Sequence, residues 1–248
     1  MIQILGLSKI PLVKQGDNVA DQIVEAVKKE GIQIENHDVI VIAQKIVSKA
    51  EGHLVNLNDV KPSARAKEIA KTTGKDPRHV ETILKETARV VRHKGPHLIV
   101  ETRHGFVCAN AGVDRSNVPD ADAVVVLPAD PDKSARIIRN RIMELTGADV
   151  GVIISDTFGR AWRIGQVNVA IGVAGLQPVI DYRGSKDMFG YVLNVTQMAV
   201  ADELASAAEL VMKKSAGIPA VIVKGFDYLS GLGTGKDLIR PKEEDLFR

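Results

Sequence analysis

Two segments of the chain put carboxylates beside other oxygen donors at the point where an apolar run ends. In CANAGVDRSN, residues 108–117, the stretch around Val107 gives way to Asn110, Gly112, Asp114 and Asn117. A tight glycine-containing loop there presents a carboxylate and a carboxamide three residues apart. In ISDTFGR, residues 154–160, the strand-like VGVII ends in Ser155, Asp156 and Thr157, followed by Gly159, Arg160 and Arg163. Loop oxygens of this kind suit a hard cation such as magnesium or manganese, a carboxylate beside a hydroxyl can hold a metal that bridges phosphates, and the arginines can pair with anions. Each segment alone also suits a local role, an Asx turn at the first and a cap or turn at the second. The two together favour a site.

A third acidic segment is VADELASAAELVMKK, residues 200–214, whose apolar residues recur at helical spacing. The face formed by Val200, Leu204, Ala207, Ala208 and Val211 turns Asp202 and Glu209 to solvent and leaves Glu203 at the apolar border. Glu203 is therefore the acid of this helix to weigh as a ligand, although a border glutamate is more often a paired surface charge. Lys14 and Lys45 each follow a strand-like run and could meet phosphate as point charges.

Other patterns fall away on inspection. SGLGTGKD, residues 230–237, resembles a P-loop but has Ser230 for the first glycine and Asp237 for the Ser or Thr that would hold magnesium. His93 and His97 have the spacing of helical zinc ligands, yet Gly95 and Pro96 between them demand a hairpin turn. Cys108, inside an apolar strand, reads as core.

The elements that must position these groups alternate irregularly. Ala20, Ile23, Val24 and Val27 mark a first helix, with Asp17 as its cap and Gly31 as its stop. VIVIAQK, opened by Asp38, is a strand buried on both faces that carries Lys45 to its end. Helices follow at Pro62–Thr73 and after Asp76–Pro77, then a β meander from Arg89 to Ala109, a strand AVVVL at 123–127, a helix from Pro131 to Gly147 and a strand ending at Ser155. Helix 200–214 and strand PAVIVK precede a glycine-rich and then charged tail. Helices and strands do not alternate strictly, so the class is α+β with mixed, largely antiparallel sheets rather than a doubly wound or Rossmann sheet.

Composition bounds the partners. The chain has 248 residues, of which 45% are hydrophobic and 26% charged, enough for one large domain or two interlocked lobes. Lys plus Arg number 33 against 31 Asp plus Glu, a net charge of +2 with signs interspersed, and only 4% of residues are aromatic. Neither a basic stripe nor a stacking platform for nucleic acid is present. A lone cysteine precludes an intrachain disulfide, and the start of the chain lacks signal-peptide character, so a cytoplasmic setting is expected. The longest uncharged run, Ile164 to Ile180, reads as core strand and turn rather than a membrane span.

At PLVK (11–14), VIVIAQKIVSKAEG (39–52), HGFVCANAGVDRSN (104–117), ISDTFGR, DYRGSKDMFGY (181–191), VADELASAAELVM and the closing LIRPKEEDLFR, the sequence resembles the archaeal coenzyme F420-0:L-glutamate ligase family, in order and from end to end. The resemblance implies a homodimeric enzyme with a fold of its own. Such an enzyme uses GTP to join L-glutamate to the lactyl carboxylate of F420-0 and then adds a second glutamate through a γ-linkage. It also implies a divalent metal, magnesium or manganese, two per site. Carried onto this chain, the family pattern assigns Asp114 and Asp156 to one metal and Thr157 to a second, with Glu203 in a motif that could complete it. Pro11, Leu12, Val13, Lys14, Ile40, Val41, Lys45 and Asn117 fall around GTP. Asp156 and Arg160 would then carry the chemistry, the arginine by holding a carboxylate.

Overall fold

The computed structural model describes residues 1–118 and 120–247. Its centre is a six-stranded sheet in the order β1 (Gln3–Gly6), β12 (Ala220–Lys224), β2 (Val39–Ala43), β8 (Gly151–Arg160), β9 (Arg163–Leu176) and β13 (Ser230–Gly231). Only β2 and β8 run parallel; every other neighbouring pair is antiparallel. The α+β class is thus as expected, with three smaller antiparallel sheets beside the main one. These are β3 (Leu54–Asn56) with β7 (Ala123–Val125), the meander β4 (Thr87–Lys94), β5 (His97–Thr102) and β6 (Val107–Ala109), and the short pair β10 (Ile180–Asp181) and β11 (Gln197–Met198).

The unbroken apolar run of β2 is explained by burial on both faces. Ile40 and Ile42 face α1 (Val19–Glu30) and α5 (Pro131–Thr146), while Val39 and Val41 face α6 (Val200–Met212). A third cluster lies apart, where α3 (Ala64–Thr73) and α4 (Pro77–Lys85) pack Ile69, Val80 and Ile83 against Leu98 and Val100 of the meander. Gly95–Pro96 turns that hairpin, pairing Lys94 with His97, as the glycine and proline require.

Three boundaries differ from those expected. Asn18, not Asp17, caps α1, taking the Ala20 and Asp21 N–H groups, while Asp17 accepts from the Lys14 N–H. Strand β2 stops at Ala43, and α2 (Gln44–Ala50) begins there, so Lys45 sits in a helical first turn rather than at a strand end. Strand β8 does not end at Ser155 but continues to Arg160, paired with β9 throughout, so Asp156 and Thr157 are strand residues opposite Val169 and Asn168. Gly235–Leu238 is a single 3₁₀ turn in which Asp237 closes a capping box with Thr234, which ends the P-loop comparison.

One buried carboxylate ties the C-terminal segment to the core. Oδ1 of Asp132, in the first turn of α5, accepts the Val173 N–H at 2.8 Å and the Gly235 N–H at 2.7 Å. Asp132→Ala strands two buried donors and should cost about 2–4 kcal/mol in urea unfolding, whereas Asp132→Asn keeps the accepting oxygen and should lose under about 1 kcal/mol. Equal losses in the two variants would contradict this account.

Candidate active site

A cleft of about 540 Å³ opens where the parallel pair ends, at Ala43 and Ser155. Its walls come from the first turn of α2, the loop after β6, the β8–β9 ribbon and the end of α6. A register shift between Ile154 and Ser155 marks the place where the ribbon leaves the sheet, a common device for re-aiming side chains. The loop after β6 carries three successive left-handed residues, Asn110, Ala111 and Gly112. Gly112 is favoured by its φ of 71° and by space, since a Cβ there would lie 2.7 Å from the buried Leu127 side chain, which would have to shift.

Asp114 is well supplied with partners. It pairs with Lys45 Nζ at 2.7 Å and accepts from the Ser116 N–H at 2.8 Å and the Ser116 hydroxyl at 2.9 Å. Burial alone would raise its pKa, but Lys45 and Ser116 outweigh that and hold the carboxyl below the usual range. Lys45 also donates to Ser116 Oγ, and Lys49 reaches the Asn117 carbonyl at 2.6 Å. Burial and the neighbouring Lys45 lower the Lys49 pKa.

Asp156 is the opposite case. Packing around it raises its pKa to about 6, with the Asp114 charge adding to the effect; the Thr157 N–H and the charges of Lys45 and Lys214 offset it only in part. Among the described residues no lysine or arginine forms an ion pair with it. Next to it, the Thr157 hydroxyl donates to Asn168 Oδ1 at 2.8 Å and accepts from Lys214 Nζ at 2.8 Å.

Two amides lining the cleft have buried atoms without hydrogen-bond partners among the described residues, Oδ1 of Asn110 and Nε2 of Gln44. The second amide's oxygen is engaged by the Ser48 hydroxyl at 2.8 Å. One satisfied and one unsatisfied carboxylate, with the Asn110 side chain on the same cleft, are donor types that fit a hard divalent ion. Among the described residues no three acids, histidines or cysteines converge, so the protein supplies too few ligands for a closed metal cage. That is the pattern of magnesium held by one or two carboxylates and completed by phosphate and water.

The structure gathers Lys45, Asp114, Asn117, Asp156 and Thr157 in this cleft. Asn110, Gly112 and Ser155 of the same two segments line it as well, and the remaining residues singled out in the sequence lie elsewhere. Ile40 and Val41 are fully buried on opposite faces of the sheet. Pro11, Leu12 and Lys14 are exposed and Val13 is buried, on the segment between β1 and α1. Arg160 donates to its own hairpin at the Ile164 carbonyl, 2.6 Å away, and Arg163 is exposed at the same tip. Glu203 is exposed and does not line the cleft. The helical face of α6 is rotated from that expected: Asp202 is half-buried and accepts the Ala170 N–H at 2.8 Å, and Glu209 pairs with Lys214 at 3.2 Å. Asn168 and Gln44 escaped notice as partners of these groups; the one signal was a polar side chain within an otherwise apolar run. Cys108 is core, its thiol pushed up to about 12 chiefly by burial and unsuited to nucleophilic work.

By fold and site, then, this is an α+β protein with an oxygen-donor cleft at the carboxyl ends of a parallel strand pair, the usual ligand position in such sheets. The model of the F420-0:gamma-glutamyl ligase family matches residues 8–225, and the chain belongs to that family. It is 49% identical to the coenzyme F420:L-glutamate ligase of Methanothermobacter thermautotrophicus, covering 100% of this chain and 99% of that protein. It is 46% identical to the ligase of the same name from Methanocaldococcus jannaschii, over 100% and 97% of the two chains. The Methanopyrus kandleri counterpart is 47% identical over 98% of each. No helix among the described residues is long and apolar enough to cross a membrane.

The raised pKa of Asp156 has a consequence for stability. A carboxyl whose pKa climbs from 3.8 to about 6 on folding binds its proton more tightly in the native state. Its contribution is therefore favourable at low pH and is lost as pH rises through that interval. With solvent in the cleft taken into account, the loss at pH 7 is roughly 2 kcal/mol. In metal-free protein Asp156→Asn should melt several degrees above wild type at neutral pH, and the gap should close as the pH is lowered toward about 4. A melting difference independent of pH would refute the assignment.

Proposed function

We propose that this chain is a GTP-dependent ligase that joins L-glutamate to the lactyl carboxylate of F420-0 and then adds a second glutamate through a γ-linkage. The observation that carries the reading is the pairing of a saturated Asp114 with an unsaturated Asp156 across one cleft, in a chain matched over nearly its whole length by relatives bearing the ligase name.

A carboxylate does not condense with an amine at neutral pH unless its oxygen is made a leaving group. In the proposed reaction the F420-0 carboxylate attacks the γ-phosphorus of GTP, GDP departs, and an acyl phosphate forms. The glutamate amine then attacks the acyl carbon and phosphate leaves with the former carboxylate oxygen. Lys45 and Asn117 stand by the phosphates; the fully buried Ile40 and Val41 act only by fixing the strand that leads to Lys45, and Pro11, Leu12, Val13 and Lys14, which do not line this cleft, would meet the nucleotide only where it extends beyond it. A divalent ion, magnesium or manganese, held by Asp114 and Asp156 with the Asn110 amide oxygen, would supply charge screening for the triphosphate. Arg160 and Arg163, on the projecting hairpin, supply guanidinium groups for the carboxylates of glutamate and F420-0 once Arg160 releases Ile164.

The same hairpin supports a homodimer. Trp162 and Ile164 on it, with Met188 and Phe189 on the following excursion, expose apolar side chains that a second copy would cover.

The test incubates protein with F420-0, GTP, L-glutamate and manganese, following the coenzyme by mass spectrometry and GDP release in parallel. Glutamyl product should rise in step with GDP, and Asp156→Ala should lower that rate by at least about two orders of magnitude with its circular dichroism unchanged. GDP without glutamyl product would instead mark a phosphohydrolase, and a fully active Asp156→Ala enzyme would remove that residue from the chemistry.

A further inference from the structure

Lys214 is placed in the cleft by contacts from three separate elements. Its ammonium lies 2.8 Å from the Thr157 hydroxyl on β8, 3.3 Å from Asn168 Oδ1 on β9 and 3.2 Å from Glu209 Oε1 on α6. Thr157 spends its own hydrogen on Asn168, so the lone pairs of its oxygen are left for the ammonium. These three oxygens, a hydroxyl, an amide and a carboxylate, are the donor types that hold hard cations.

The backbone that delivers Lys214 is unusual. Lys213, which ends α6, adopts φ 50° and ψ 179°, a region favoured by glycine and costly for a side chain. That conformation turns the chain out of the helix, and the residue that follows reaches the Thr157–Asn168 pair. Positive charge is distributed unevenly as a result. Thr157 and Asn168 have a cation in place, whereas Asp156, the adjacent residue on β8, has no ion-pair partner among the described residues.

We infer that the Lys214 ammonium is a resident cation of this cleft, occupying the Thr157–Asn168–Glu209 position where a second divalent ion would otherwise be held. The chain then takes up a single divalent ion, at Asp114 and Asp156. That last clause rests on the Asp114–Asp156 metal reading proposed above, and the role of Lys214 rests on Thr157 serving as a ligand of a second ion. A divalent ion bound through Thr157 would face a fixed ammonium at hydrogen-bonding range of its own ligand, and the repulsion excludes it. Lys214 is a positioning residue, its charge held at the site by the Thr157, Asn168 and Glu209 oxygens.

The experiment counts bound Mn²⁺ from the electron paramagnetic resonance signal of the free ion. Titrations are run with and without saturating GDP, on wild type, Lys214→Ala, Lys214→Met and Lys214→Arg, each checked for folding by its melting curve. Wild type should bind one Mn²⁺ per chain, and Lys214→Ala and Lys214→Met should each gain one more. Lys214→Arg, which keeps a cation there, should gain none. If neither charge-removing variant gains an ion, or if wild type already binds two, the inference is overturned. If wild type binds none while Lys214→Ala binds one, the role of Lys214 stands and the Asp114–Asp156 metal site fails, so the two readings are separated. Lys214→Met, which preserves the stem, keeps the test open should the alanine variant fold poorly.

Discussion

The parallel pairing of β2 with β8, in register from Val39–Gly151 to Ala43–Ser155, is the constraint on which the rest of the site depends. Parallel neighbours end on the same side of a sheet, so the two chains leave the core together, one into α2 with Lys45 and the other into the ribbon with Asp156. Burial of both faces of β2 leaves its position no freedom: a slip of one residue would exchange Ile40 and Ile42 with Val39 and Val41 between two cores already filled. The cleft is accordingly built on rigid strands, and only its outer wall, the loop after β6 and the end of α6, relies on strained backbone.

Within the cleft, the two aspartates differ because of what surrounds them rather than what they are. Asp114 sits against Lys45 and Ser116 and remains ionised easily; Asp156, partly buried at the cleft wall, has no ion-pair partner among the described residues and feels Asp114 as a like charge. A carboxylate held in a place that disfavours its charge weakens the folded chain and raises the affinity for any cation that relieves it. The unpartnered Oδ1 of Asn110 contributes in the same sense, as an acceptor without a hydrogen bond among the described residues, whereas the free Nε2 of Gln44 is a donor and suits an anionic group instead.

Much of this was legible in the sequence, for identifiable reasons. Helix punctuation by Gly31, Gly74, Pro77, Pro131 and Gly147, the doubly buried strand at 39–43 and the Gly95–Pro96 hairpin all follow from local backbone preferences. Asp114, Asp156, Thr157, Lys45 and Asn117 were recognisable as oxygen donors and charges, and they meet in one cleft. What local reading misjudged was continuation. VIVIAQKIV has no breaker between strand and helix, and ISDTFGR looks like a strand end, because its ribbon is held only by pairing with distant β9. The α6 face was misdrawn for a related cause: Asp202 lies toward the sheet because the Ala170 N–H needs an acceptor, a demand set by a segment more than thirty residues away.

The order of strands in the central sheet also governs when the site can exist. Strand β12, made near the end of the chain, is inserted between β2 and the N-terminal β1, so β1 has no place in the sheet until residue 224 is available. During synthesis the chain from β2 through β9 can assemble its parallel pair and ribbon early, while the first strand waits unpaired. The last wall of the cleft, from Met212 to Ile218, immediately precedes β12 and is anchored by it. The cleft therefore lacks a wall until β12 is in place, and the pairing of β1 with β12 is a long-range contact that closes only after the rest of the central sheet's partners have been made.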